Sequence, residues 1–384
     1  MSRLVPPGST IGILGAGQLG RMLAVCARQH GYRVIVFGGD RNTPCGQVSD
    51  RAWNAGFDDE DALKEFAAAA DVVTYEFENI SAAAAAAIAT HTTLAPGVEL
   101  LQTAQNRFLE KSAIAALGIP TARFRMVHSE EELKAACQDF GGAVIMKSNT
   151  DGYDGKGQWS VADNSQAAAA WHEARAEAAI VEQRIHFDYE LSVIAGRFAD
   201  GTCCFYEPFL NHHANHILDV TVSGAPQITA KIRKQAEQIA RAILERFGVV
   251  GVLCVELFLN SDGELLVNEI APRPHNSGHL TIEAFNCSQF EVQLRAICRL
   301  PATLLNRRYP AAAMANLLGQ HLPPVWTAES LTAFSESRVH LHLYGKPSPR
   351  ENRKMGHITA GANTATDAEN LTRNARSRLK SNNS

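Results

Sequence analysis

The chain has 384 residues, 46% hydrophobic and 20% charged, which allows two or three domains of ordinary globular composition. A formal charge of −4 provides no global attraction to nucleic acid or an anionic membrane, so an anionic ligand has to be gripped locally. No run of about 18 apolar residues offers a membrane span and Met1–Pro7 lack a secretory apolar segment, so a cytoplasmic protein is expected. Its eight cysteines form no Cys-x-x-Cys pair and sit mostly in apolar segments, as reduced core thiols do.

Residues 10–16 read as a strand running into Gly15-Ala16-Gly17-Gln18-Leu19-Gly20 and a helical pattern from Arg21 to Ala27; a second strand, 33–37, leads to Asp40. This spacing matches a dinucleotide fingerprint with its ribose-binding acid. A glycine turn opening onto a helix N-terminus holds any phosphate, so it specifies a Rossmann-like unit more firmly than a nicotinamide cofactor. A helix over 58–70 and a strand over 71–75 follow, ending in Glu76-Phe77-Glu78-Asn79. Acids at the carboxyl end of a parallel strand stand where ligands bind in such sheets, which makes Glu76 a substrate-contact candidate against the alternative of a solvated strand end. The alanines at 82–87 are helix filler. Ala95-Pro96-Gly97 precedes a boundary near 100–105, after which Gln105–Lys111 predict a helix stopping at Gly118-Ile119-Pro120. Arg107 on that helix either faces solvent or reaches a phosphate.

The apolar strand 143–146 delivers Lys147 and then Ser148-Asn149-Thr150-Asp151-Gly152-Tyr153-Asp154-Gly155-Lys156-Gly157-Gln158-Trp159. Glycines at this density, with Lys147 and Lys156, cannot pack a core but can turn backbone amides toward a polyphosphate. The plain alternative is a flexible surface turn. A helix over 164–178, the strand 179–181 leading into Glu182-Gln183-Arg184-Ile185, and a half-buried strand at 189–194 come next. His212, His213 and His216 are close enough to pose a metal site, but have no carboxylate or cysteine beside them in the chain.

Residues 249–269 hold the most informative spacing. Asp262-Gly263 between two apolar runs is a strong hairpin signal. Pairing outward from that turn sets Ser261 opposite Glu264 and, further on, Glu256 opposite Glu269. Facing carboxylates in an apolar ribbon need a cation or a shared proton, and oxygen donors beside a phosphate loop suit Mg²⁺. A register slip would instead leave both acids solvated. The proline-stiffened stretch Ala271-Pro272-Arg273-Pro274-His275-Asn276-Ser277-Gly278-His279 then displays Arg273, His275 and Asn276, and a guanidinium fork suits a planar oxyanion such as bicarbonate. A helix over 281–299 follows, then a strand at 340–346, a basic run from Arg350 to His357, and a polar segment from about 366.

The Gly152–Gln158 loop behind Lys147 closely resembles the phosphate loop of the ATP-grasp superfamily, in particular its N5-carboxyaminoimidazole ribonucleotide synthase family in purine biosynthesis. The similarity runs from Gly12 to about His357. It implies an α/β protein (α+β overall) with a Rossmann-like domain over 1–104, an ATP-grasp domain over 105–303 and a small C-terminal β-rich domain with a disordered tail over 304–384. It further implies that ATP is held by Arg107, Lys147, Gly152, Tyr153, Asp154, Gly155, Lys156, Gly157 and Gln158, with Glu182, Gln183, Arg184, Ile185, Glu190, His213, Asn268 and Glu269. Glu256 and Glu269 would carry Mg²⁺ or Mn²⁺. Tyr153, Arg273, His275 and Lys354 look like the catalytic group, and Glu76, Asp154, Asn276, Lys346 and Arg353 like ribonucleotide contacts. The implied reaction is ATP- and bicarbonate-dependent carboxylation of 5-aminoimidazole ribonucleotide through carboxyphosphate, by a cytoplasmic homodimer. Asp151, Leu210, His216 and Ala271 depart from the family pattern, the middle two near His213. The formate-dependent glycinamide ribonucleotide transformylase of the same superfamily is the nearest rival; its loop resembles Pro-Arg-Pro-His-Asp-Thr-Gly, whereas Asn276, Ser277 and His279 favour the carboxylating enzyme. A dinucleotide-dependent oxidoreductase, resting on Gly15–Gly20 and Asp40, is the rival of another class.

Overall fold

The computed structural model describes residues 4–150, 157–323 and 325–380. The first apolar runs form a parallel sheet of β1 (Thr10–Leu14), β2 (Arg33–Phe37), β3 (Arg51–Trp53) and β4 (Val72–Tyr75) in the order β3-β2-β1-β4. Connections pass through α1 (Gln18–Gln29), α2 (Glu60–Ala68) and α3 (Ala82–His91). Asp59 caps α2 by accepting from the Ala62 N–H, and Ser81 caps α3 through the Ala84 N–H. The chain order reverses between β1 and β4, so the turn after β1 and residues 76–79 after β4 meet at one crevice.

The helix expected across 105–111 is two helices. α4 (Val98–Gln105) stops at Asn106, whose extended backbone breaks the helix and whose side chain caps α5 (Arg107–Ala116) through the Leu109 N–H. An antiparallel sheet of β5 (Phe124–Val127), β6 (Val144–Ser148), β7 (Gln158–Val161) and β8 (Ala179–Gln183) follows in the order β5-β8-β6-β7.

The largest sheet contains β9 (Tyr189–Arg197), β10 (Cys203–Phe205), β11 (Phe209–Ala214), β12 (Ile217–Ser223), β13 (Gly251–Leu259), β14 (Leu265–Ala271), β15 (Ala311–Leu318), β16 (Val339–Leu343) and β17 (Lys354–Ala362). Its path is β14-β13-β9-β11-β12-β15-β17-β16, with β10 paired to β9, so the C-terminal strands extend the same sheet through β12 and β15. β9 lies between β13 and β11 and is buried on both faces from Leu191 to Gly196, not half-buried as its alternation suggested. The helix expected over 281–299 is broken into Thr281–Ala284 and Gln289–Ile297, the second restarting where Ser288 caps it through the Glu291 N–H.

The polar segment after 366 is a helix, Ala365–Lys380. Ala368, Thr372, Ala375 and Leu379 are buried along it, and Arg373 and Arg376 both pair with Asp219. The tail expected to be disordered, 381–384, lies outside the described residues.

Candidate active site

A cleft of about 790 Å³ runs between the carboxyl end of β4, the β5–β8 sheet and the face of the large sheet that carries β13 and β14. Its construction begins at the N-terminal glycine turn. Gly15 adopts φ +99°, a left-handed conformation that glycine tolerates readily, and the turn opens onto α1. The anion at that helix N-terminus is internal. The Glu76 carboxylate accepts from the Gly17 N–H and, at 2.6 Å, from the Gly20 N–H. A Cβ on Gly17 would lie 2.5 Å from Glu76 Oε1, so the glycine spacing fits a carboxylate where a dinucleotide would place its pyrophosphate. Burial raises the Glu76 pKa, and the two N–H donors oppose the rise. The dinucleotide reading of Gly15–Gly20 therefore gives way to a structural plug that holds Glu76 at the cleft wall.

Two residues on, Glu78 grips Arg273 through both oxygens, with Arg273 Nη2 to Glu78 Oε1 at 2.7 Å. Burial disfavours charge on Glu78, but the guanidinium outweighs it and holds the carboxyl below its usual range. Glu78 thus aims the guanidinium from an element far away in sequence. Its place two residues beyond Glu76 at a strand end was the available signal, and the sequence reading did not use it.

The hairpin of β13 and β14 puts Glu256 directly opposite Glu269, as expected, by a different route. The connection runs from Asn260 to Glu264 and sets Leu259 opposite Leu265, one residue out of the predicted register. A bulge at Asn268, between Leu257↔Val267 and Glu256↔Glu269, restores it. Glu256, Glu269 and Phe258 line the cleft, while Leu257, Leu259, Leu265 and Val267 lie in the core on the other face. Facing carboxylates supply hard oxygen donors on one side of one ribbon, a set that fits a divalent ion of the Mg²⁺ kind.

Each acid has a partner in place. Arg107 Nη1 lies 3.0 Å from Glu269 Oε2, and His275 Nε2 lies 3.0 Å from Glu256 Oε1. Burial works against charge on Glu256, but His275, His213 and Arg273 outweigh it and hold its pKa low. His275 Nδ1 meets Ser277 Oγ at 2.8 Å, which orients the ring. Glu190 Oε2 lies 2.7 Å from His213 Nδ1 and raises the imidazole pKa against the opposing effect of burial. Lys147 Nζ and Lys111 Nζ flank Glu182 at 3.0 and 3.3 Å. Burial, with Lys111 and Arg107 adding, lowers the Lys147 pKa although Glu182 opposes.

Of the residues singled out by sequence, Arg107, Lys147, Gln158 and Glu182–Ile185 line this cleft. So do Glu190, His213, Asn268, Arg273, His275, Asn276 and Lys354, together with Glu76. Neither amide end of Asn276 has a hydrogen-bond partner among the described residues. Gly157 is not among the lining residues; its carbonyl accepts from the Ser148 N–H at 2.9 Å. Lys346 and Arg353 are not on the wall: Lys346 Nζ donates to the Lys354 carbonyl at 2.7 Å, and Arg353 Nη1 to the Ser348 carbonyl at 2.9 Å. Gly152, Tyr153, Asp154, Gly155 and Lys156 lie outside the described residues, as does Asp151. The histidines 212, 213 and 216 do not gather as metal ligands; the donors that converge, within 4.8 Å among the described residues, are Cys254, Glu256 and His275. Sequence reading also missed Glu110, Lys111 and the stacked pair Phe187–Phe258, whose rings lie 4.3 Å apart at 9°.

Comparison with known proteins follows the same three-part plan. Family models match a ribonucleotide synthetase preATP-grasp domain over residues 9–105, an ATP-grasp domain over 112–290 and a phosphoribosylaminoimidazole carboxylase C-terminal domain over 312–371. The chain is 40% identical to the N5-carboxyaminoimidazole ribonucleotide synthase of Bacillus subtilis, covering 93% of this chain and 92% of that one. It is 42% identical to a bifunctional purine synthesis protein of Dictyostelium discoideum, covering 93% of this chain but only 37% of that longer protein. Among solved structures, an ADP complex of N5-carboxyaminoimidazole ribonucleotide synthetase superposes with a TM-score of 0.91 at 38% identity over 98% of both chains. The Aspergillus clavatus enzyme in complex with ADP and 5-aminoimidazole ribonucleotide superposes at 0.88 with 30% identity, over 97% of this chain and 99% of that one. No helix among the described residues is long and apolar enough to cross a membrane.

Proposed function

The chain belongs to the N5-carboxyaminoimidazole ribonucleotide synthase family of ATP-grasp ligases, and from that membership we propose how its residues carry out ATP-dependent carboxylation of 5-aminoimidazole ribonucleotide. A bicarbonate oxygen attacks the γ-phosphorus of ATP, ADP leaves, and carboxyphosphate forms. The exocyclic amine then attacks the carboxyl carbon, phosphate leaves, and N5-carboxyaminoimidazole ribonucleotide results. The observation that carries the residue assignment is the convergence on one cleft of the Glu78–Arg273 clamp, the facing pair Glu256 and Glu269, and Lys354.

In this reading Arg107 and Lys147 hold the phosphates, and Gly157, Gln158 and residues 152–156 are assigned to the same phosphates. Glu182–Ile185, Glu190, His213 and Asn268 complete the nucleotide site, and Phe258 supplies an apolar surface for the base. Glu256 and Glu269 would hold Mg²⁺ or Mn²⁺, which when bound neutralises charge on the transferring phosphoryl oxygens. Arg273, fixed by Glu78, presents its fork to bicarbonate. Lys354 places positive charge where the carboxyl group changes hands, with His275, whose Nε2 faces Glu256, and Tyr153 as further members of the group. Glu76 and Asn276 reach the ribonucleotide from the cleft wall. Asp154, Lys346 and Arg353 are assigned to the same substrate, the last two requiring side-chain movement toward the cleft. A labile acyl phosphate survives only where water is excluded beside its acceptor, which suits a cleft walled by all three parts of the chain. The proposal includes a cytoplasmic homodimer; eight free thiols fit a reducing compartment.

The test is ADP release with bicarbonate and aminoimidazole ribonucleotide, compared with formate and glycinamide ribonucleotide. Acceptor-dependent turnover with bicarbonate alone is expected, and turnover with formate alone would overturn the assignment.

A further inference from the structure

β14 is the outermost strand of its sheet, so one of its edges has no neighbouring strand among the described residues. Residues 107–121 cover that edge group by group. The Val267 N–H donates to the Pro120 carbonyl at 2.8 Å, and the Val267 carbonyl accepts from Thr121 Oγ1 at 2.8 Å. From there α5 takes over with three ionisable side chains. Lys111 Nζ donates to the Asn268 carbonyl at 2.9 Å, Arg107 pairs with the Glu269 carboxylate at 3.0 Å, and the Ile270 N–H donates to Glu110 Oε1 at 2.5 Å. Positions 107, 110 and 111 share one helix face, so three consecutive residues of β14 are held by one turn of α5.

The bulge at the centre of this grip decides where Glu269 points. Were Leu257↔Val267 continued as a regular ladder, Glu256 would face Asn268 and the next side chain, Glu269, would turn to the core face. An extra residue in one strand leaves its backbone polar groups without ladder partners. Lys111 supplies one for the Asn268 carbonyl. Its side chain is only 2% exposed, and its ammonium is also shared with Thr121 Oγ1 at 3.2 Å and Glu182 Oε2 at 3.3 Å. A lysine is buried to this extent only when fully partnered. It lies behind the cleft wall, so its effect on a ligand passes through Asn268 and Glu182.

We propose that Lys111 and Glu110 are positioning residues for the metal-binding carboxylate: α5 fixes the Asn268 bulge, and the bulge fixes Glu269 opposite Glu256. This rests on the assignment of Glu269 to the divalent ion, and the experiment separates the two. Mn²⁺ is titrated into the full-length enzyme with saturating ADP, free ion being read by electron paramagnetic resonance, alongside melting temperature. Lys111→Met keeps the apolar stem and is expected to weaken Mn²⁺ binding roughly 10–100-fold, the range for removing an outer-shell partner. Glu110→Gln, which keeps an acceptor for the Ile270 N–H, is expected to bind Mn²⁺ like wild type, whereas Glu110→Leu weakens it about tenfold. If Lys111→Met does not fold, Thr121→Val is measured in its place, and a weakening of roughly tenfold, the low end of the same range, is the expected result. Lowered melting with wild-type Mn²⁺ affinity in Lys111→Met or its replacement, and in Glu110→Leu, overturns the proposal while Glu269→Gln still weakens the ion. Wild-type affinity in Glu269→Gln itself overturns the metal assignment and this proposal with it.

Discussion

Replacing Gly17 by alanine tests whether Glu76, rather than a ligand phosphate, is the anion of the α1 N-terminus. Gly17 has φ −86°, which any L-residue adopts, so backbone strain plays no part. The conflict is with one side chain: the added Cβ would lie 2.5 Å from Glu76 Oε1 and 3.1 Å from Oε2. Glu76 would have to withdraw and lose both its N–H donors while remaining buried. At about 1.5–3 kcal/mol for each bond to a charged group, the cost is roughly 3–6 kcal/mol with the carboxyl ionised, and about 1–3 kcal/mol with it protonated, when each bond is neutral. The same substitution in a Glu76→Ala background meets no carboxylate, and its cost should fall to about 1 kcal/mol, that of a poorer helix cap. Thermal melting of the four proteins of this cycle, at roughly 2–4 °C per kcal/mol, resolves the difference. Equal losses in both backgrounds would refute the plug, and tight NADH binding by the wild type would restore the dinucleotide reading.

Lys354→Met is expected to leave ATP affinity unchanged while abolishing product formation; a matching loss of ATP affinity in a calorimetric titration would count against its role in carboxyl transfer. Glu269→Gln is expected to remove turnover and weaken Mg·ATP, because one carboxylate of the facing pair loses its charge, and undiminished turnover would exclude the pair from the metal. The Glu110 carboxyl is pushed up to about 8, first by burial and then by the Glu269 charge. Its folded pKa exceeds the ordinary value of 4.5, so the native state retains a proton that the unfolded state has released, and stability is lost as pH rises between about 4.5 and about 8. Glu110→Gln should flatten that slope in melting temperature, whereas an equally steep slope in the variant would show that other groups set it.

Three strands of the N-terminal sheet were legible because apolar runs and glycine turns alternate at a spacing that suits a parallel α/β unit, and Arg33–Phe37 is found at its expected limits; the edge strand Arg51–Trp53, three residues long, was not read. Helix breaks were not legible. Asn106 ends one helix and caps the next, and Phe285 takes an extended backbone before Ser288 caps the restarted helix; neither break has a periodic signature in an otherwise continuous helical pattern. The Ala365–Lys380 helix was hidden for a different reason: Ala368, Thr372 and Ala375 form a buried stripe too small to stand out among charged neighbours. The facing acids were found through two compensating departures, a longer connection and a bulge. A period-two rule registers neither, yet their sum is zero at Glu256 and Glu269. Residues named from the strand ends and from the hairpin reached the cleft. Glu78, Glu110 and Lys111 went unnamed because their roles depend on partners about 70 to 195 positions away, at Glu182, Asn268, Ile270 and Arg273.

Those long-range partners give the cleft a common electrostatic form. Glu269 is paired with Arg107, Glu256 with His275, Glu190 with His213, Glu182 with Lys147 and Lys111, and Glu78 with Arg273. The arginine and lysine partners already in contact keep the buried carboxylates they meet from bearing their full desolvation cost, which for an unpaired ion amounts to several kcal/mol. Under the proposed assignments, an anionic nucleotide with a divalent cation would enter by exchange: Arg107 would pass from Glu269 to a phosphate as Glu269 passes from Arg107 to the cation, with neither charge left uncompensated. The Glu78–Arg273 and Lys111–Glu182 pairs differ from the others. Both ends of each are anchored by bidentate contact or by a second partner, so they have no reason to exchange. Exchangeable pairs on the cleft wall, backed by fixed pairs, let the site rearrange its charges around substrate while Glu269, Arg273 and Lys147 keep their positions.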